Sequence, residues 1–197
     1  MVEHGGKEPE ARNLLFHPGH TWVDLVSLSE VRVGISDLVL RLVGPPDKLV
    51  LPEQGDTLRS GERAVGLRQG TRVINLLTPV SGEVSAINRE VLSGDREASR
   101  PKGPLGGQWV LTIRPDRLGL DLKAMRAGRE AASWMADQER KASRFFRDWL
   151  GPLHDRDLGF HLGDGGLLAE GILSKMDDYV WQSFCREFLK SYALIIR

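Results

Sequence analysis

The sequence contains a single cysteine, Cys185. One thiol excludes an intrachain disulfide and any multi-cysteine metal centre. No apolar run approaches the roughly 20 residues that cross a bilayer. The first thirteen residues, MVEHGGKEPEARN, have no apolar stretch of the secretory kind. A reducing, cytoplasmic setting is therefore expected. Net charge is missing too, because 27 Lys and Arg balance 27 Asp and Glu. Nothing global draws such a chain to nucleic acid or an anionic membrane, and neither is expected as a partner. Lysine is scarce, 7 against 20 Arg, a bias that genome composition accounts for.

What remains suits one domain of ordinary size with an appended segment, since 41% of the 197 residues are hydrophobic. Residues 1–13 read as a disordered tail. Thr21–Ser27 and Val31–Ile35 are rich in β-branched residues and predict a hairpin turning at Ser29-Glu30. Ser36 is placed to cap a short helix over Asp37–Val43, which Gly44-Pro45-Pro46 ends. Further strands are expected at Lys48–Leu51, Arg63–Leu67, Arg72–Leu77, Val80–Ile87 and Gln108–Ile113. Gly70 supplies the backbone freedom for a tight turn between two of them. A polar loop, 93–107, precedes the last strand, and Asp116 is placed to cap a short helix through Leu122.

The pattern then changes. Residues 123–150 hold no proline and one glycine, and their apolar residues recur at helical spacing. Two i,i+4 surface pairs are expected there, Asp137 with Lys141 and Arg144 with Asp148. Gly151-Pro152 ends this helix, and residues 153–166 form a Gly- and Asp-rich loop. Helices are expected over Leu167–Leu173 and from Met176 to about Leu194, the second opened by a capping box of Ser174 and Asp177. Trp181, Phe184, Cys185, Phe188 and Tyr192 form one stripe on it. A packing face is the plain reading of that stripe, and a buried core thiol the plain reading of Cys185.

Five short patterns between Gly19 and Leu122 stand together in order: His20-Thr21-Trp22, Val33-Gly34-Ile35-Ser36-Asp37-Leu38, Leu51-Pro52-Glu53-Gln54-Gly55-Asp56, Pro79-Val80-Ser81-Gly82-Glu83-Val84 followed by Asn88, and Gln108-Trp109-Val110-Leu111-Thr112-Ile113. In this the chain resembles the H protein of the glycine cleavage system over about 100 residues. Physically these are fold residues: glycines where the backbone turns sharply, prolines at strand edges, Trp22 and Trp109 as core anchors. The resemblance implies an α+β fold, a lipoyl-domain-like β barrel-sandwich hybrid with a small helix over residues 14–124. A C-terminal helical segment over 125–197, its long helix spanning 123–150, lies beyond the usual length of that family.

The resemblance also implies where chemistry would sit. The family carries lipoate on a lysine at a hairpin tip, and the arm shuttles an aminomethyl group between a pyridoxal-phosphate decarboxylase, a folate-dependent transferase and a dihydrolipoamide dehydrogenase. That lysine falls 19 residues after the first motif proline and 8 before the second. Counting from Pro52 and from Pro79 gives the same position, Thr71. A hydroxyl without a general base is a poor nucleophile, and its attachment would be an ester. No lysine is near in sequence, the flanking ones being Lys48 and Lys102. The family's glutamate three residues earlier is Arg68, and Arg72 follows directly, so the tip has gained positive charge. No cofactor is expected at Arg68, Gly70, Thr71 and Arg72.

Other candidates read as structural. His17 and His20 flank Pro18-Gly19 at a strand start. Asp155, Asp157, His161 and Asp164 crowd one loop, but position twelve from Asp155 is Gly166, not the glutamate a calcium loop needs. Gly163-Asp164-Gly165-Gly166 lacks the Lys-Ser/Thr of a phosphate loop. The Arg-rich long helix also carries acids and reads as a solvated face. The expected function is a non-lipoylated, non-catalytic interaction or scaffold module. It would bind through the 68–72 tip or the aromatic faces of Trp134, Phe145, Trp149, Trp181, Phe184 and Phe188. The alternative is a lipoyl carrier of glycine decarboxylation. An enzyme with a site in the helical part ranks last, since no nucleophile–base pair is visible.

Overall fold

The computed structural model describes residues 14–92, 109–150, 168–190 and 193–195. The expected tail, the two polar loops and Tyr192 lie outside the described residues. The chain opens with β1 (Leu15–Phe16), β2 (Thr21–Ser27) and β3 (Glu30–Ile35), followed by helix α1 (Asp37–Val43). Then come β4 (Lys48–Val50), β5 (Thr57–Leu58), β6 (Arg63–Gln69), β7 (Arg72–Leu77), β8 (Gly82–Ile87) and β9 (Trp109–Pro115). A short helix α2 (Leu118–Asp121), the long helix α3 (Gly128–Leu150), helix α4 (Asp178–Phe188) and strand β10 (Ala193–Ile195) complete it. Two antiparallel sheets result, ordered β1-β2-β3-β9-β8-β5 and β10-β7-β6-β4. This is the α+β barrel-sandwich with a small helix and C-terminal helices that the sequence led us to expect.

The motif residues are fixed by short-range contacts. Trp22 is fully buried and its indole donates to the Ile35 carbonyl at 2.9 Å, across the β2–β3 hairpin. Gly34 lies under that ring: a Cβ there would stand 2.0 Å from Trp22 Cζ2. At the Leu51–Asp56 turn the Glu53 amide donates to Asp56 Oδ2 at 2.8 Å, and Gly55 takes φ 97°. Asn88 bridges two segments, donating to the Trp109 carbonyl and accepting from the Glu90 amide.

Several local expectations are corrected. The β2–β3 turn is Leu28-Ser29, with Glu30 already in β3. Ser36 precedes α1 but makes no side-chain cap, because its hydroxyl faces His20 Nδ1 at 3.2 Å. Residue Arg117, not Asp116, precedes α2. The long helix starts at Gly128, with a separate 3-10 turn at Leu122–Ala124. On its surface Asp137 pairs with Arg140 rather than Lys141. The Leu167–Leu173 helix shrinks to a 3-10 turn at Ile172–Lys175. Asp177 alone caps α4, its carboxylate accepting from the Val180 amide at 2.9 Å. The last expected helix stops six residues early. Lys190 takes φ 54°, a left-handed conformation that ends helices, and the chain re-emerges as β10.

One apolar cluster joins both parts of the chain. Val33, Leu67, Ile74 and Leu111 of the sheets share it with Phe146 of α3, with Ile172 and Leu173, and with Trp181 and Phe184 of α4. Full burial of one such ring or aliphatic side chain contributes roughly 1.5–3 kcal/mol. α1 sits at the junction. The Gly171 amide donates to the Arg41 carbonyl at 2.8 Å, and Arg41 Nη2 meets Glu139 Oε1 at 2.7 Å. Among the described residues, no helix is long and apolar enough to cross a membrane.

Candidate functional site at the 68–72 hairpin

The hairpin between β6 and β7 closes through two residues. Gln69 stands opposite Arg72, and Gly70 and Thr71 form the turn. Gly70 has φ 60°, a value glycine adopts without cost. Both turn residues are exposed, so Thr71 holds the apex of a protruding two-residue loop.

The loop after α1 pins that apex from one side. Asp47 Oδ2 accepts from the Gly70 amide at 2.7 Å, and the Asp47 amide donates to the Arg68 carbonyl at 2.8 Å. The Gln69 side chain donates through Nε2 to the Val43 and Pro45 carbonyls at 3.2 and 3.4 Å. Arg68 is exposed and its Nε reaches the Gly70 carbonyl at 3.2 Å.

A lysine is closer than the sequence suggested. β4 pairs with β6 so that Lys48 stands opposite Arg68. Lys48 is exposed on this strand, at the level of the second residue before the turn. Twenty residues of chain separate the two cations, yet the sheet makes them neighbours. Lys102 lies outside the described residues.

Arg72 does not join this cationic group. Its guanidinium turns towards α4, with Nε and Nη2 at 2.8 and 2.7 Å from Asp178 Oδ1. Its Cζ lies 5.0 Å from the centre of the Trp181 ring, within cation–π range. On the same flank β10 pairs with β7, Ile195 opposite Arg72 and Leu194 opposite Val73. The C-terminal segment therefore covers one edge of the hairpin, beside its tip. The sequence reading missed Asp47, Asp178 and β10. The only available signal for the last was the run Ala193 to Ile196, half of it β-branched.

The aromatic helix faces proposed as partner surfaces are largely spent on each other. Phe145, Trp181, Phe184 and Phe188 are buried. Phe184 stacks on Phe188 at 4.6 Å, and Phe145 meets both edge-on. Trp149 remains exposed beside Tyr179, and Trp134 is half-buried. Apolar area on two facing helices is removed from water more cheaply by mutual packing than by waiting for a partner.

His17 and His20 each have a local partner at Nδ1, while His20 Nε2 is buried without a hydrogen-bond partner among the described residues. His17 Nδ1 accepts from the Gly19 amide at 3.0 Å. Burial, with Arg126 adding to it, lowers the His17 pKa. Burial also drops His20 to about 4; the nearby Gln138 opposes the shift and His17 reinforces it. Cys185 is buried and its thiol is pushed up to about 12 by burial. Among the described residues no three His, Cys, Asp or Glu are grouped to hold a metal, and the 155–164 cluster lies outside them.

Comparison with known proteins agrees with the motif reading. A family model described as the glycine cleavage H-protein matches residues 14–138. A probable glycine cleavage system H protein of Pyrococcus abyssi is 27% identical over 135 residues, 68% of this chain and 98% of that protein. A glycine cleavage system H protein of Kocuria rhizophila is 31% identical over 102 residues, 51% of this chain and 78% of that protein. Among solved structures, a glycine cleavage system H protein of Mycobacterium marinum aligns with TM-score 0.47 and 23% identity, covering 54% of this chain and 87% of that one.

Proposed function

The chain belongs to the glycine cleavage H-protein family, and from that premise we propose that it is an H-type protein without a lipoyl arm, acting as a non-catalytic interaction module. The observation that carries the proposal is the hydroxyl of Thr71 at the exposed apex, the position reached by counting from both flanking motifs. An amide to lipoate needs an amine, and the apex offers none. The residues present do not fit the group, so no transfer step runs through it here.

Two further features support the reading. Arg68 places a cation where the family has a carboxylate, which disfavours enzymes matched to the opposite sign. The docked β10 and α4 narrow the approach to the hairpin from the β7 side. Partners would instead meet the face made by Lys48, Arg68 and Thr71.

One observation favours a second reading, a carrier that uses Lys48. Against it, Lys48 lies on a paired strand rather than on the turn. The two readings separate by intact mass after co-expression with a lipoate ligase and added lipoate. The unmodified mass is expected. A lipoyl adduct overturns the proposal, and its loss in Lys48→Arg would establish the second reading. Thr71→Lys combined with Arg68→Glu is expected to gain the adduct at the apex. A folded but unmodified double variant would count against the alignment.

A further inference from the structure

We propose that a cleft between α3, the end of α4 and the 17–20 turn is a binding site for a small organic acid, a carboxylate carried on a flat aromatic body. The cleft is open on one side and has a volume of about 770 Å³, within the range of small-molecule sites. Its apolar walls are Trp134, Phe145, Trp149 and Phe188. Its cations are Arg126, Lys141, Arg144 and Lys190, set against the carboxylates of Asp148 and Glu187. Much of this wall lies past residue 138, beyond the family match, so the site belongs to this chain rather than to the barrel.

Three observations point to an anion. Among the described residues, Lys141, Arg144 and Lys190 make no ion pair within 4.0 Å. Arg126 lines the cleft, its guanidinium held over the Trp134 ring at 5.4 Å and its Nε 3.7 Å from the exposed Glu130 carboxylate. A carboxylate oxygen entering the cleft would gain a charge-assisted hydrogen bond from the part of that guanidinium that lines it. Finally, Lys190 occupies the left-handed position after α4, where glycine is the cheap residue. A lysine kept in a strained conformation at the rim of a cleft is explained by its charge. The indole and phenyl walls select a flat ring, and the excess of cations selects the acid over its neutral or cationic analogue.

The test uses 2-naphthoate, 2-naphthamide and 2-(aminomethyl)naphthalene as probes on the full chain, read by calorimetry and by tryptophan fluorescence. Naphthoate is expected to bind at one site, weakening as salt rises. The amide and the amine should bind at least about tenfold more weakly, the factor expected from losing a charge-assisted hydrogen bond. Lys190→Gly should raise the melting temperature, by relieving the strained backbone, while lowering naphthoate affinity by about threefold or more. Arg126→Met should lower it by about tenfold. Absence of saturable naphthoate binding overturns the proposal, as does equal binding of the amide, a preference for the amine, or affinity untouched by both substitutions.

Discussion

Steric and solvation demands at single residues set the tolerances of this fold. At Gly34 an added methyl would collide with the fully buried Trp22 ring, which is held by its own hydrogen bond. Gly34→Ala is expected to cost about 3 kcal/mol, at the upper end for overpacking, read from the shift in denaturant midpoint. Gly70 has open space around it and only its left-handed backbone to lose, so Gly70→Ala should cost about 1 kcal/mol. His20 provides a pH dependence. It is neutral and buried in the folded protein, with a pKa of about 4, below the 6.5 of an exposed histidine. Between those values the unfolded chain binds more protons than the folded one. Stability is therefore expected to fall as pH drops from 6.5 towards 4, by on the order of 3 kcal/mol from this group. His20→Asn, which tolerates the positive φ, should flatten that slope in denaturant titrations across the window. An unchanged slope would assign the acid sensitivity elsewhere.

The elements around the hairpin carry unequal loads. Arg72 links β7 to α4 through its pair with Asp178 and its seat over Trp181. Asp178 is half-exposed, so solvent screens the pair, and Arg72→Ala should cost only about 1 kcal/mol. Arg68 faces Lys48 across two strands, like charge to like charge. Arg68→Ala should be neutral or slightly stabilising. Equal losses from the two substitutions, measured by thermal unfolding, would contradict this division. On α4, the buried Cys185 has a thiol displaced to about 12, so little thiolate forms near neutral pH. Ellman's reagent is expected to leave the native protein unlabelled at pH 8 and to label it fully in denaturant.

For the whole molecule, the decisive fact is that sheets and C-terminal helices share one apolar cluster. Phe146, Ile172, Leu173, Trp181 and Phe184 pack with residues of α1 and the sheets rather than forming a core of their own. A chain cut after Met125 would bare that surface together with Phe16 and Trp22, which pack against Ala131. Such a fragment is expected to aggregate. The full chain should unfold in a single transition, with circular dichroism and tryptophan fluorescence superimposing. Two resolved transitions would show that the extension folds independently.

The β-hairpins were legible from the chain alone because alternation, turn glycines and β-branched runs are local features that the backbone obeys locally. So was the identity of the apex residue, since Thr71 lies at fixed distances from two motifs that each fix their own turn. Tertiary packing settled the surroundings of that apex. Lys48 became the neighbour of Arg68 through strand pairing, and Arg72 found Asp178 across 106 residues. The final segment left a helical pattern to pair with β7. None of these has a local signature: a strand's partner, or a cation's, is set by which surfaces meet when the common core closes, and that is a property of no single stretch of chain.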